Sequence, residues 1–490
     1  MLNDLRDFLA IFEKEGRLKR IKNPIKCGWP ETELGALSRY LLNKDIGPVI
    51  LENLEGFNTP GVPVVINLFG SPERTAMILG TKKWEEAVEK QTQVMKDKWP
   101  EPKIVKSGPC KEVIIQGDEI DLRKQVPKVW FMEGQAFITG LVTISQDPET
   151  GERNVGWYRY GFFDKHPQTG EWYSEEKRQR CLQGYIFWNP PMSHIGRHFS
   201  KAVKMGKPLE VAIAGPCDPT IHLASCTDMP FGKDEFEFAG ALRGASVELV
   251  KCETVDLHVP ATSEWVLEGE VIPGQDELNW GHAHGMGYMD FGYILPLIRI
   301  KCITHRENPL WYATTECKPP WDHQYIIFLN RYLFESIHAR IPEVKDVAMP
   351  VPGIMVIQLS VDGSDREPEI GKRVLNTLWS IPRLPGVYKF AVVVGPDINP
   401  HDIQEVGWAL WTRCQPIQDS LSQKVLAMFE DPSVPEELEG PQKTKMVGEV
   451  IGFDALIKIP ERYSKFQTVA EPPKEDVERI RAKVEKELEG

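Results

Sequence analysis

The chain begins with charged and apolar residues alternating at helical spacing. MLNDLRDFLAIFEKEGRLKR therefore predicts an amphipathic helix over 2–15. Similar patterns predict helices over 31–43 and 84–98. The apolar runs PVILENL (48–54) and VPVVINLFG (62–70) predict strands between them. From about 110 to 318 strands dominate: EVIIQG, ITGLVTISQ, LEVAIAG, VELVKC, YILPLIRIKCITHR and LWYATTE. Glycine and proline punctuate them at short intervals, the pattern of a barrel-like or sandwich-like β domain. DHQYIIFLNRYLFESIHARI (322–341) reads as one long amphipathic helix. Strand and helix then alternate through IMVIQLSV, REPEIGKRVLNTLWS, KFAVVVGPDI and DIQEVGWALWTRC, which predicts a smaller α/β domain. The tail from 471 breaks at Pro472-Pro473 and continues as a charged helix, either a solvated surface element or an arm packed on a neighbouring subunit.

These patterns divide the chain into an N-terminal α/β region (1–105), a β domain (106–320), a linking helix (321–342), a C-terminal α/β domain (343–465) and a helical tail (466–490). A length of 490 residues is ample for two or three domains with sizeable cores. The formal net charge of −13 argues against nucleic acid or an anionic membrane as the main partner. No apolar run approaches the roughly 18 residues of a membrane span. The first helix lacks the uninterrupted apolar stretch of a secretory signal, so the chain reads as cytoplasmic. Nine scattered cysteines form no CxxC pair, which predicts reduced, mostly buried thiols rather than disulfides or a structural zinc site.

Several familiar chemistries lose support. There is no GxxxxGK[ST] phosphate loop, no strand-linked GxGxxG and no GxSxG elbow. HIGRH (194–198) places two histidines on one side of a helix but lacks the glutamate of a zinc protease. Three stretches carry chemistry of another kind. In RNVGWYRYGFF (153–163), Asn154 offers a hard amide oxygen and Arg159 a fixed fork for a carboxylate or phosphate. Their side chains point to opposite faces of an extended segment unless it bends at Gly156. In PPMSHIGRHF (190–199), His194 stands at the mouth of a helix, where a metal or a phosphate can be held. In ASCTDMPFGKDEFEFAGALRG (224–244), Glu235 and Glu237 open an apolar helix, as acids that complement its dipole often do. Asn154, His194 and Glu235 together make a mixed O/N/O set that suits Mn²⁺ or Fe²⁺ better than zinc.

With VELVKCETVDLHVPATSEWVLEGEV (247–271), these stretches resemble the UbiD family of decarboxylases. The resemblance covers nearly the whole chain in order, from about residue 5 to 460. It implies an α+β fold with a split β-barrel flavin-binding domain and a smaller C-terminal α/β oligomerisation domain. It also implies prenylated FMN as cofactor, held through a divalent metal, usually manganese, and a potassium ion that both touch the cofactor phosphate. On this resemblance Asn154, His194 and Glu235 are the metal ligands. Trp157, Tyr158 and Arg159 lie along the flavin, with Met192, Ile195 and Gly196 beside it. The backbone around Ser225 and Cys226 helps hold potassium. Arg413 in WTRCQP and Asp454 in GFDAL match family positions near the cofactor. The implied partners are an aromatic small molecule and CO₂, a flavin prenyltransferase as cofactor supplier, and further copies in a homodimer or homohexamer, with or without accessory subunits.

The family completes its site with two acids five residues apart in a glycine-rich loop after VLEG. They flank the arginine, and the later one transfers the proton. Here the loop reads GQDELNWGHAHGMGY, and counting without a gap puts Asn279 and His284 at those positions, or His282 if the register slips. A histidine titrates near neutrality and can do this work. The exchange removes negative charge beside Arg159, leaving it freer to hold a substrate carboxylate. A non-phenolic aromatic acid, its coenzyme A thioester, or a bare ring plus CO₂ would suit such a site. Aromatics are dense, at Trp157, Trp172, Trp188, Trp280, Trp311 and Trp321; most suit core or subunit packing, and Trp280 in the loop is expected to touch substrate. Two alternatives stand beside the lyase: a non-catalytic or assisting subunit of a larger carboxylase, and a metal-only lyase without flavin.

Overall fold

The computed structural model describes residues 2–28, 33–131, 135–166, 169–189, 193–227, 229, 232–279, 281–290, 292–314, 317–329, 331–363, 367–381, 388–426, 431, 433–434, 447–458, 470 and 472–488. They fall into two compact units, the first centred on Met1–Ser336 and the second on Ile337–Leu384, Tyr388–Gln423 and Val450–Gly490.

In the first unit the predicted N-terminal helix is α1 (Leu5–Lys14), capped by the Asp4 carboxylate and burying Leu5, Phe8, Leu9 and Phe12. Arg6 on α1 grips the fully buried Glu264 through two bonds of 2.7 and 2.8 Å, which ties the N-terminus to the β domain. Helix α2 (Leu34–Asn43) packs so closely at Gly35 that a Cβ there would stand 1.9 Å from the Phe131 carbonyl oxygen. The two predicted strands of this region appear as Val49–Leu51 and Val64–Ile66, in a four-stranded sheet with Lys19–Ile21 and Trp311–Tyr312.

Most of the β-rich stretch forms one nine-stranded sheet; the predicted strand VELVKC instead pairs, as Glu248–Lys251, with Lys103–Val105 and His258–Pro260 in a sheet of three. The strands of the nine-stranded sheet are β1 (Val113–Gln116), β2 (Phe137–Ile138), β3 (Val142–Gln146), β4 (Arg153–Trp157), β5 (Tyr160–Phe162), β6 (Cys181–Gly184), β7 (Leu209–Gly215), β8 (Trp265–Leu278) and β9 (Ile294–His305). The order is β4-β3-β7-β8-β9-β6-β5-β2, with β1 also paired to β9 and every ladder antiparallel. Strands β4 and β5 are five strands apart in this order, yet only Tyr158 and Arg159 join them in sequence. Three Cα steps of about 3.8 Å reach at most about 11 Å. The sheet must therefore curl until its two ends nearly meet, which makes it a split barrel with residues 158–159 at the seam. The hydroxyls of Thr143 on β3 and Tyr160 on β5 hydrogen-bond across this closure.

Of the helices that lie between these strands in sequence, those that bear on the site are α3 (His194–Lys204), α4 (Pro219–Ser225) and α5 (Glu235–Arg243). The helix expected over 322–341 divides in two, Gln324–Phe328 and Arg331–His338, with Leu329 in a turn. The glycine-rich loop also differs from a simple loop. Its residues His282–Ala283 and Met289–Asp290 pair as a short antiparallel ladder, making a hairpin with His284 at its turn. No disulfide joins any of the nine cysteines.

The second unit holds a sheet ordered Val344–Val351, Ile354–Leu359, Phe390–Val394, Val447–Asp454, Ser420–Leu426. Helices Ile370–Ser380 and Ile403–Arg413 alternate with its strands, as the pattern predicts, and the tail forms a helix over Lys474–Leu488. No helix among the described residues is long and apolar enough to cross a membrane.

Candidate active site

Strand β4 delivers its side chains to alternate faces of the sheet. Trp157 joins one core, and Tyr158, just beyond the strand, joins the other. Gly156 makes this possible, because a Cβ there would stand 2.4 Å from Tyr158 Cε2. Trp157 donates its indole N–H to the Thr139 carbonyl. Its ring stacks on His323 at 4.8 Å and lies 5.1 Å from His222. Burial pushes the Tyr158 phenol above its ordinary pKa. The Ile195 backbone N–H, the Asn154 amide and the Ser193 hydroxyl act against that, and the Glu235 carboxylate adds to it. One phenol thus senses four partners, which brings β4 and the N-terminal ends of α3 and α5 together.

Each helix end has a local cause. Ser193 caps α3 by accepting from the Gly196 N–H at 3.2 Å. Gly196 is required there, since a Cβ would stand 2.1 Å from the Phe187 carbonyl oxygen. Asp234 caps α5 by accepting from the Phe236 N–H at 2.8 Å. Asp218 caps α4 and pairs with Arg243 at 2.8 Å, locking the end of α5 to the start of α4. Ser225 and Cys226 fall at the C-terminal end of α4, where helix carbonyls face outward and favour a cation.

A divalent cation is tested by the Glu235 carboxyl. Glu235 is 4% exposed, and its Oε2 accepts the Val155 N–H at 2.9 Å. Burial pushes its pKa up to about 8, and the Val155 and Glu235 N–H groups and the Arg153 charge offset only part of the rise. Asn154, on the same strand as Val155, is also buried, and its Nδ2 has no hydrogen-bond partner of good geometry among the described residues. The Glu235 carboxylate and the Asn154 amide oxygen are hard donors of the kind that fits a divalent metal. Among the described residues no cluster of three His, Cys, Asp or Glu side chains could hold one. The expected set has only two such side chains and an amide.

The hairpin is placed by Asn279. The Asn279 amide donates to the Tyr185 hydroxyl, and its Oδ1 accepts the Tyr293 N–H at 2.6 Å. Both ends of this side chain are thereby used to close the hairpin. Tyr185 in turn donates its N–H to the Arg159 carbonyl at 3.0 Å, linking the hairpin base to the barrel seam. His284 is buried, and its Nδ1 accepts the Met286 N–H at 3.1 Å. That bond puts the proton of the neutral ring on Nε2. The His282 backbone lies in the ladder; the His282 side chain, Met192 and Trp280 lie outside the described residues. Arg413 and Asp454 belong to the second unit. Arg413 pairs with Asp397 at 3.0 Å, and Asp454 accepts from Lys458 at 3.3 Å.

Ser193, Tyr185, Tyr293 and His323 have no place in the sequence reading. Only Ser193 had a legible signal, as a serine directly before a helix.

Comparison with known proteins identifies this architecture. Family models of 3-octaprenyl-4-hydroxybenzoate carboxy-lyase match in sequence: the N-terminal domain over residues 9–92, the Rift-related domain over 103–319 and the C-terminal domain over 323–455. The chain belongs to the UbiD family and is a carboxy-lyase. It is 32% identical to the uncharacterised protein sll0936 of Synechocystis sp. over 486 residues, 94% of this chain and 91% of that one. The UbiD-class enzyme HmfF of Pelotomaculum thermopropionicum, solved with FMN, superposes with a TM-score of 0.78 at 29% identity, covering 96% of this chain and 97% of that one. An evolved dimeric form of HmfF, solved with prFMN, gives 0.76 at 28% identity, covering 96% and 97%. Vanillic acid decarboxylase of Sedimentibacter hydroxybenzoicus gives 0.83 at 26%, with both chains covered completely.

Proposed function

We propose that this protein is a prenylated-FMN-dependent enzyme that reversibly removes CO₂ from an aromatic carboxylic acid, or from its coenzyme A thioester, with a divalent metal and potassium at the cofactor phosphate. The observation that carries the reading is the meeting of Asn154, Ser193, Ile195 and Glu235 around the Tyr158 phenol at the barrel seam. Its support from relatives is that HmfF is solved with FMN and with prFMN.

Asn154, His194 and Glu235 would hold Mn²⁺ or Fe²⁺, and the carbonyls at Ser225 and Cys226 would hold K⁺. Trp157, Tyr158, Ile195 and Gly196 would line the cofactor. When bound, the flavin supplies the electron sink for the ring carbon that loses CO₂. Arg159 orients the substrate carboxylate through its planar fork. His284 carries the proton to or from that carbon through Nε2. Double protonation of its ring requires the Met286 bond to Nδ1 to open, so the hairpin turn moves with the proton. Asn279 positions the hairpin. The chains assemble as a homodimer or homohexamer, so light scattering at micromolar concentration should give a multiple of 55.7 kDa; a single-chain mass would refute assembly.

The deciding experiment is co-expression with a flavin prenyltransferase, followed by an absorption spectrum, metal analysis and a CO₂-release assay on aromatic acids. Flavin, metal and turnover together are expected. Metal and turnover without flavin would replace this reading with a metal-only lyase. Flavin and metal without turnover on any aromatic acid or thioester would favour an assisting subunit.

A further inference from the structure

The His284 hairpin rests on a segment that is fixed from a distance. At Gly287 the backbone has φ +86°, and a Cβ there would stand 2.8 Å from Lys318 Cα. The turn therefore lies directly on the backbone of residue 318. The Gly287 N–H donates to the His284 carbonyl at 2.8 Å, so the position of 287 sets that of 284. Five residues beyond Lys318, His323 stacks on Trp157 at 4.8 Å and bonds the Thr314 hydroxyl at 3.2 Å. Between them, Asp322 accepts from the Leu68 and Phe69 N–H groups at 2.9 and 2.7 Å and from Tyr312 at 2.8 Å. Segment 317–323 thus backs both the hairpin and Trp157.

Its Asp322 end is pinned by those bonds. At its other end it is held by Arg39 on α2. The guanidinium donates to the Pro320 carbonyl at 3.0 Å, to the Cys317 sulfur at 2.9 Å and to the Lys318 carbonyl. Arg39 has a firm base, because α2 is locked by the close contact of Gly35 with Phe131. A planar fork with fixed donor directions spans three spread acceptors better than a compact ammonium does.

We infer that Arg39 is a positioning residue for the reaction: it holds residues 317–320 in the shape that seats Gly287 and so sets His284. The inference rests on the reading of His284 as the proton-transfer residue. It predicts that Arg39→Ala loosens the hairpin without emptying the cofactor site. Charge-assisted bonds of this kind hold a local opening back by about tenfold or more each. A displacement of about 1 Å in a reacting group costs up to about 100-fold in rate.

The test uses the flavin-loaded enzyme. Amide hydrogen exchange is followed by mass spectrometry over 281–290, 317–323 and, as a control, β8 (265–278). In Arg39→Ala, exchange over 281–290 and 317–323 should quicken about tenfold or more, with β8 and the flavin spectrum unchanged. The kcat should fall about tenfold or more, and KM should change less. Arg39→Lys should restore part of both, since an ammonium reaches some of the three acceptors. Gly287→Ala should reproduce the loss, and adding Arg39→Ala to it should cost little more. Unchanged exchange over 281–290 in Arg39→Ala would overturn the inference whatever the activity. Faster exchange with unchanged kcat would uphold the brace and overturn the reading of His284 instead.

Discussion

Replacing Glu235 by glutamine keeps the volume of the side chain and removes its charge, which isolates the cost of burying that charge. The carboxyl has an ordinary pKa of 4.5, and burial pushes it up to about 8. At about 1.4 kcal/mol per tenfold change in proton affinity, the fully charged form costs the fold about 5 kcal/mol. The sign follows from proton binding. Between 4.5 and about 8 the folded chain holds a proton that the unfolded chain has released. The metal-free protein therefore loses stability as pH rises through this window. From pH 6 to pH 8 the loss from this one group is about 2 kcal/mol. The assay is urea unfolding of chelator-treated protein at both pH values, for the unaltered chain and for Glu235→Gln. Other titrating groups contribute equally to both proteins, so the difference of differences should be about 2 kcal/mol. Adding Mn²⁺ should stabilise the unaltered chain by about 2.7 kcal/mol at 100 times its Kd, and Glu235→Gln far less. Parallel pH curves for the two proteins would refute the argument, because the carboxyl would then be titrating as it does in water.

Three further outcomes are expected. His284→Ala should keep flavin and metal but lose about 10²–10⁴-fold in turnover, with slower deuterium uptake into the product ring in D₂O; full exchange there would move the proton to another group. Asn279→Ala strands the Tyr293 N–H and the Tyr185 hydroxyl, so thermal unfolding should show a loss of about 1–3 kcal/mol; unchanged stability would mean that the amide does not close the hairpin. Gly196→Ala forces a methyl group to 2.1 Å from the Phe187 carbonyl oxygen, and unfolding should report a cost of about 1–3 kcal/mol together with weaker flavin retention. Full flavin occupancy in that variant would show that the first turn of α3 does not shape the cofactor site.

Local pattern was enough to place most elements. The spacing of apolar residues gave α1, α2, α3 and the helices of the second unit, because an amphipathic helix states its buried face every three or four residues. The apolar runs gave β7 and β9 for a similar reason, whereas β8 is not among the predicted strands and its end at 274–278 reads as loop. Pattern failed where the deciding contact lies elsewhere in the chain. The split of 322–341 at Leu329 and the short ladder inside the glycine-rich loop left no periodic trace. Asn279 reads from its position as a substitute for an acid, yet its amide is taken up by Tyr185, 94 residues before it, and Tyr293, 14 residues after it.

The sequence by itself determined which side chains can do chemistry: a hard O/N/O set at Asn154, His194 and Glu235, a fork at Arg159, a titratable ring at His284. Those are properties of residue type and survive any fold. Only the tertiary structure decided that Asn154 and Glu235 meet at Tyr158. Strand β4 lies at one end of the ordered sheet and β5 next to the other end, and they approach because a two-residue link forces the sheet to curl. That closure puts Tyr158 where the ends of α3 and α5 meet it. Tertiary burial likewise raises the Glu235 pKa, and the Val155 N–H that the Glu235 carboxyl reaches across 80 residues offsets part of that rise.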